Sequence, residues 1–561
     1  MKQFKWSSCL SKGSAFDLLL KENEEDFVVR ELGVSGGLSV GPLCNEETIA
    51  WLGQELEVEL AKDGSRDLHQ ETVLTKIENL ENKENRRVVH GVYSAYPYVY
   101  TVTVKEEEKV SVAVVYHRTH TKNVYSVNVT KKGRTTHEAS EALSRELRVK
   151  NTSIKYAGNK DKRGITTQRL SISGVSFDEL HAACQRINHP PVKADVPTVS
   201  TAPKTTETTE NIPNTETIAN PKTASFDRHN LSMEGAKIVP YQDIKEKLIE
   251  IEKRISETLT ATETDEDYLK VVLNMKGEFY VSRITRIENG LKLGELSGNR
   301  FYLKLKTDAA PDVVADSIDK LAQQGFPNYY GSQRFGYGMN NPRIGECLLK
   351  REFQQAMSLI LSSLKGLTNS PRVQEALKHL EEGDLQAAGS ALPPKFGTEK
   401  TILRGMLKKI PPKHVFQMIR RENRMIYTHS YQSELFNDML AERLTTGLAA
   451  KEYAASAWCG SITGKEEIKD LVSSTETPSF DTLLLPLFPT PEAIKPANST
   501  TLPDASKIMS GGYRKAVVVP RDVSYSLSEG VLSLSFDLPP GTYATMVVKE
   551  VSKNGVEECT W

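Results

Sequence analysis

The sequence predicts an α+β protein built from two or three folded units, and three observations carry that expectation. At 561 residues the chain exceeds the roughly 100 to 200 residues of one domain. Short β-rich runs recur at 99–104, 110–116 and 124–129 and again at 531–538, and these read as strands. Between them, from Ile344 through Leu385, apolar residues fall at helical spacing, with Cys347, Leu348, Phe353, Met357 and Ile360 forming a stripe.

Composition narrows the class. Hydrophobic residues at 38% and charged residues at 26% match a soluble globular protein, and no apolar run approaches the roughly 18 residues of a membrane span. The net charge of -1 does not by itself suggest nucleic acid, but the charge is uneven. Arg145, Arg148, Lys150, Lys155, Lys160, Lys162, Arg163 and Arg169 stand against only Glu146 and Asp161. The cysteines lie far apart with no C-x-x-C pair, which argues against zinc spacing and a disulfide scaffold. An intracellular reducing compartment follows, nucleus or cytoplasm ahead of mitochondrion. The first sixteen residues carry Lys2, Lys5 and Lys12 without an acid, yet they lack the arginine of a transit peptide.

Along the chain, Leu18-Leu19-Leu20-Lys21 and Glu24 to Glu31 read as a first strand pair. Residues 45–85 are acidic and polar with weak periodicity, an added segment. A Thr135-x-x-Glu138 capping box then opens a helix whose Ala139, Ala142, Leu143 and Leu147 recur at helical spacing. That helix leads to Ile154–Gln168, where a strand on each side leaves Gly158, Asn159 and Gly164 as turn residues. Asp161 therefore projects from a tight, basic loop.

An unperturbed aspartate titrates at about 3.9, so it is ionised at neutral pH and can attack an electrophilic carbon without a separate base. The flanking Lys160, Lys162 and Arg163 suit an anionic substrate. Taken alone, the loop also reads as an ordinary charged turn.

A short helix near 177–187 precedes the Thr-, Pro- and Asn-rich run Pro190 to Ser225, which has too few large apolar residues to fold and reads as a disordered insertion. Asp243 to Leu259 is a charged helix, and Leu269 to Leu273 reads as a strand. Pro311 suits the first turn of a helix that stops at Gly325. Pro327 to Gly336 packs aromatics, glycines, an amide and an arginine together, the mix a site needs to stack a base and bond its edge, although on composition alone core aromatics in a turn are the commoner reading. Arg404, Lys408, Lys409, Lys413, Arg420, Arg421 and Arg424 form a second basic cluster, and Thr542 is the expected N-cap of a last helix.

Six blocks, in order from Lys21 to Glu550, resemble the TruD-type pseudouridine synthases. The first is Lys21 with Glu25-Asp26-Phe27-Val28-Val29. The second is Gly158, Lys160, Asp161, Lys162, Thr166 and Gln168, with Gly164 where the family usually has alanine. Then come Leu291 to Phe301, the Asn328-Tyr329-Tyr330-Gly331-x-Gln333-Arg334-Phe335-Gly336 block with Tyr330 for the usual phenylalanine, Tyr431-Gln432-Ser433-x-Leu435-x-Asn437, and the C-terminal stretch around Tyr543.

The resemblance implies a catalytic domain, discontinuous in sequence, on a mixed and largely antiparallel sheet. It would occupy 1–347 and 513–561, with a mostly helical family-specific domain inserted at 348–512. It further implies isomerisation of uridine to pseudouridine in RNA, tRNA first and other RNAs as well. Asp161 would be the nucleophile and Lys21 its partner. Asn328, Tyr330 and Tyr543 would bind the uridine, with Lys160, Lys162, Arg163 and Gln168 as further substrate contacts. The family needs no metal or other cofactor, and a monomer is expected. Two rivals are a non-catalytic RNA-binding or chaperone protein on the same fold and an unrelated enzyme of nucleotides or phosphosugars. The latter lacks a phosphate loop, and the former has little use for an aspartate at 161.

Overall fold

A computed structural model describes residues 6, 8–20, 23–32, 72–94, 99–106, 109–116, 124–188, 237–260, 264–275, 277–287, 289–367, 370–448, 452–463, 468, 471–475, 479–490, 505–554 and 557–558. Lys21, residues 45–71 of the added segment and the run 190–225 lie outside them. The chain forms two compact units, one of residues 33–295 and one of residues 1–32 with 296–561.

In the first unit, strand Val124–Lys132 lies between Phe279–Ile287 and Ile165–Ser173, both antiparallel to it, and Ile154–Tyr156 runs antiparallel to Ile165–Ser173. Alternation explains the core. Tyr125, Val127 and Val129 point to one buried face and pack with Ala139 and Leu143 of the helix Thr136–Glu146 and with Leu180 of the helix Phe177–Asn188. A second sheet joins Val99–Glu106, Lys109–Tyr116 and Thr72–Glu78 antiparallel, with Lys237–Pro240 parallel to Thr72–Glu78.

The Thr135–Glu138 capping box forms, the Thr135 hydroxyl accepting from the Glu138 amide at 3.1 Å and the Glu138 carboxylate from the Thr135 amide at 2.7 Å. Leu269 to Leu273 is not a strand. It is the end of a helix, Asp265–Leu273, capped by Thr264 and with three acids in its first turn, and those N-terminal signals outweigh its β-branched Val271 and Val272.

In the second unit, one edge of strand Gly298–Lys306 carries Leu19–Leu20 and Phe27–Leu32, and the other carries Val531–Leu538, all antiparallel. The expected pairing of the first two strands with each other is thus replaced by pairing of each with a third. Val531–Leu538 also forms a hairpin with Arg521–Ser528. Glu529 and Gly530 both have positive φ in that turn, the signature of the tight turns that join two strands.

Helices follow one another from Asn341 to Thr446, ending in the 26-residue Arg421–Thr446. Beyond them, Ser461–Ile462, Gly512–Lys515, Leu483–Leu487, Glu452–Ala454 and Ser473–Thr475 form an antiparallel sheet in that spatial order. The last helix is Ala544–Ser552 with Tyr543, not Thr542, at its N-cap. Thr542 lies one residue before the cap position, and its hydroxyl donates to the Pro539 carbonyl at 2.7 Å. The architecture is α+β with mixed, largely antiparallel sheets.

Candidate active site

Asp161 lies half-buried on the loop between Ile154–Tyr156 and Ile165–Ser173, strands held in register by Tyr156 opposite Leu170 and Ile154 opposite Ile172. The loop re-enters the sheet at Gly164, whose φ of 112° is a conformation that a side chain strongly disfavours.

Three side chains fix the loop's backbone. The Gln168 amide nitrogen donates to the Gly158 carbonyl at 3.1 Å, and its oxygen accepts from the Thr136 hydroxyl at 2.7 Å. That same Thr136 hydroxyl accepts from the Lys160 amide at 2.9 Å. Lys131, fully buried, donates from Nζ to the carbonyls of Asp161 and Arg134, each at 2.7 Å, and of Lys160 at 3.4 Å. Burial pushes the Lys131 ammonium down to about 8, against the favourable charges of Asp161 and Glu138.

The other expected contacts are distributed as follows. Lys160 is half-buried, whereas Lys162 and Arg163 are exposed, and Lys162 pairs with Glu138 at 3.4 Å. Gln168 is buried with both ends of its amide engaged inside the protein. Lys21 lies outside the described residues.

The aromatic residues belong to the other unit. Phe326–Pro327 pairs with Val517–Val518, and the next residue, Asn328, is fully buried. Its Nδ2 donates to the carbonyls of Lys515 at 3.0 Å and Gly460 at 3.2 Å, and its Oδ1 accepts from Nη2 of Arg514 at 2.6 Å. Arg514, also fully buried, further donates to the carbonyls of Asn328 at 3.0 Å and Gly541 at 2.8 Å and to the Ser461 hydroxyl at 3.1 Å. Its guanidinium lies 3.9 Å from the centroid of the Tyr330 ring, and that of Arg334 lies at 5.4 Å, both within the range of cation–π attraction.

Tyr330 meets Phe436 edge-on at 5.6 Å and Tyr543 edge-on at 6.2 Å. Its backbone is bracketed by Asn437, whose Oδ1 accepts from the Tyr330 amide at 2.9 Å and whose Nδ2 donates to its carbonyl at 3.1 Å. Gly331 admits the neighbouring ring, because a Cβ there would lie 2.9 Å from Cδ1 of Tyr543.

Residues 101–198 and 257–477, more than half of the chain, match the model of the tRNA pseudouridine synthase D (TruD) family. The chain belongs to that family. Among its relatives, the pseudouridylate synthase 7 homolog of Homo sapiens is 26% identical over 97% of this chain and 79% of its own length. That of Mus musculus is 25% identical over 97% and 80%. The tRNA pseudouridine synthase D of Geotalea daltonii is 27% identical over 47% of this chain and 72% of its own. Membership in the TruD family makes the chain a pseudouridine synthase, an isomerase.

Asp161, Asn328 and Tyr330 fall inside the matched residues of the TruD family, whereas Arg514 and Tyr543 fall beyond them. Reading the sequence did not single out Lys131, Thr136 or Arg514 as site residues. Lys131 had a visible signal, since it is the polar last member of the alternating series Tyr125, Val127, Val129. Thr136 and Arg514 had none, since their importance comes from partners 24 to 186 positions away. Among the described residues, no group of three or more His, Cys, Asp and Glu is arranged to hold a metal ion, and no helix is long and apolar enough to cross a membrane.

Proposed function

We propose that this TruD-family chain converts uridine to pseudouridine within an RNA, tRNA first and other RNAs also, acting as a monomer with Asp161 as the nucleophile. The observation that carries the reading is the loop itself. A carboxylate stands half-buried between cationic neighbours on a backbone fixed through Gln168, Thr136 and Lys131. Such preorganisation suits a nucleophile that must meet a carbon at one angle.

The reaction is a redox-neutral isomerisation whose atoms balance without a cofactor. Attack by Asp161 on the base or the sugar carbon permits the N1–C1′ bond to break. The uracil turns within the site, a C5–C1′ bond forms, the bond to Asp161 breaks to return the free carboxylate, the C5 proton departs, and N1 is left carrying a proton. The uridine must leave its stack to reach a carboxylate. In one unit the aromatic pair Tyr330 and Tyr543, with Tyr330 buried against Arg514, suits contact with an unstacked uracil, and in the other the basic side chains Lys160, Lys162 and Arg163 suit RNA phosphates. Asn328 contributes by holding Arg514 and the chain around Tyr330, and Lys21 is proposed as the partner of Asp161.

The test is turnover and RNA binding by Asp161→Asn. The variant is expected to form no pseudouridine and to bind the RNA with little change in affinity. Wild-type turnover by purified Asp161→Asn would overturn the assignment and favour a role in RNA binding alone.

A further inference from the structure

We propose that Lys131 is a positioning residue of the isomerisation, its charged ammonium holding the peptide of Asp161 in its reactive place so that turnover depends on that charge. This rests on the reading of Asp161 as the nucleophile.

The geometry is specific. Lys131 is the last but one residue of the strand Val124–Lys132, at a position where its predecessors on the same face are Tyr125, Val127 and Val129, and its side chain is fully buried. Three N–H donors meet three carbonyls, those of Asp161, Arg134 and Lys160. One of those carbonyls belongs to the nucleophile, and another to its neighbour. A methionine would fill similar volume but would leave the three carbonyls without this donor. A neutral amine would supply two N–H groups and turn a lone pair toward the third carbonyl. The charged form therefore has a function that packing alone does not require.

The charged groups around it act in both directions. Asp161 and Glu138 favour the ammonium, Lys160 disfavours it, and burial, which disfavours it most, brings it down to about 8. Farther out, Lys162 pairs with Glu138 and Arg134 pairs with Glu278, so these two cations are partly neutralised. Lys131 thus loses its proton in the mildly alkaline range, where an arginine at the same position would keep its charge.

The experiment measures kcat and KM on an RNA substrate for the wild type, Lys131→Arg, Lys131→Met and Asp161→Asn from about pH 6.5 to about pH 9.5. The wild-type kcat is expected to fall as pH rises through about 8, with KM little changed. Lys131→Arg should carry the plateau to higher pH, whereas titration of the substrate itself would limit both proteins alike. Lys131→Met should lower kcat by about ten- to a hundredfold with KM within about twofold, the effect of losing a charge-assisted hydrogen bond from the reactive geometry.

A wild-type kcat that stays flat across the alkaline range, or wild-type kcat in Lys131→Met, overturns the inference. Should a variant fail to fold, the alkaline limb of the wild-type protein decides. Turnover by Asp161→Asn would instead overturn the nucleophile reading. An inactive Asp161→Asn beside an unimpaired Lys131→Met would overturn only the role of Lys131.

Discussion

The guanidinium of Arg514 lies 3.9 Å from the centroid of the Tyr330 ring while its own nitrogens grip Asn328 from two sides. One buried cation therefore joins the amide and the aromatic of the same sequence block. Burial pulls the Arg514 guanidinium below its ordinary range, and the phenols of Tyr330 and Tyr543 favour its charge, Tyr330 through a hydrogen bond as well.

Tyr330→Phe keeps the ring face above Arg514 and removes one hydrogen bond to a group with several others, so kcat/KM is expected to stay within about threefold of wild type. Tyr330→Ala removes the ring. Base stacking on an aromatic is worth about 1 to 3 kcal/mol, so kcat/KM should drop by about ten- to a hundredfold. If steady-state kinetics showed the two variants equally damaged, the hydroxyl, not the face, would be the working part of Tyr330.

Arg514→Met should cost about 2 to 4 kcal/mol in denaturant unfolding, because it leaves the Asn328 amide oxygen and the carbonyls of Asn328 and Gly541 buried without this donor. A loss under about 0.5 kcal/mol would mean that those acceptors find other partners.

Gly164→Ala tests the departure from the family pattern. At φ 112° a side chain is strained, and the expected cost is about 1 to 3 kcal/mol, with kcat reduced and RNA affinity retained. Unchanged stability and turnover would show that the loop relaxes to accept alanine.

The pH dependence of stability should run opposite to that of turnover at Lys131. Its folded-state ammonium titrates at about 8, against an ordinary 10.5, so between those values the unfolded chain holds a proton that the folded chain has released. Unfolding free energy attributable to Lys131 therefore rises with pH across that window, by at most about 1.4 kcal/mol per unit, and is lost as pH falls through 8. Denaturant curves for wild type and Lys131→Met at the two ends of the window should diverge in the wild type's favour at the alkaline end. Divergence the other way would contradict the depressed titration.

Much of this was legible in the chain itself. The capping box at Thr135, the strands around Asp161 and the helix from Pro311 to Gln324 all rest on local signals, namely a hydroxyl acceptor, alternation and a proline at N1. Where those signals conflicted, the reading went astray. Leu269 to Leu273 has the β-branched residues of a strand but lies behind a capped, acid-led helix start. Thr542 looks like a cap yet bonds backward. At the candidate site the carboxylate of Asp161 stands out from its loop and Lys131 from its place in the alternating series Tyr125, Val127, Val129, whereas Thr136 and Arg514 leave no local pattern, because their partners lie 24 to 186 positions away.

The grip of Asn437 on the peptide of Tyr330, 107 positions earlier, and of Arg514 on Asn328, 186 positions earlier, bears on how the protein is born. During vectorial synthesis, domains close only as their last contributors emerge. The aromatic site cannot assemble until the ribosome has passed Gly541, whose carbonyl receives Arg514. A product cut short before that point would carry Asp161 on its loop and the Asn328–Tyr330 block in its sequence, yet it would lack the scaffold that holds Asn328 and Tyr330.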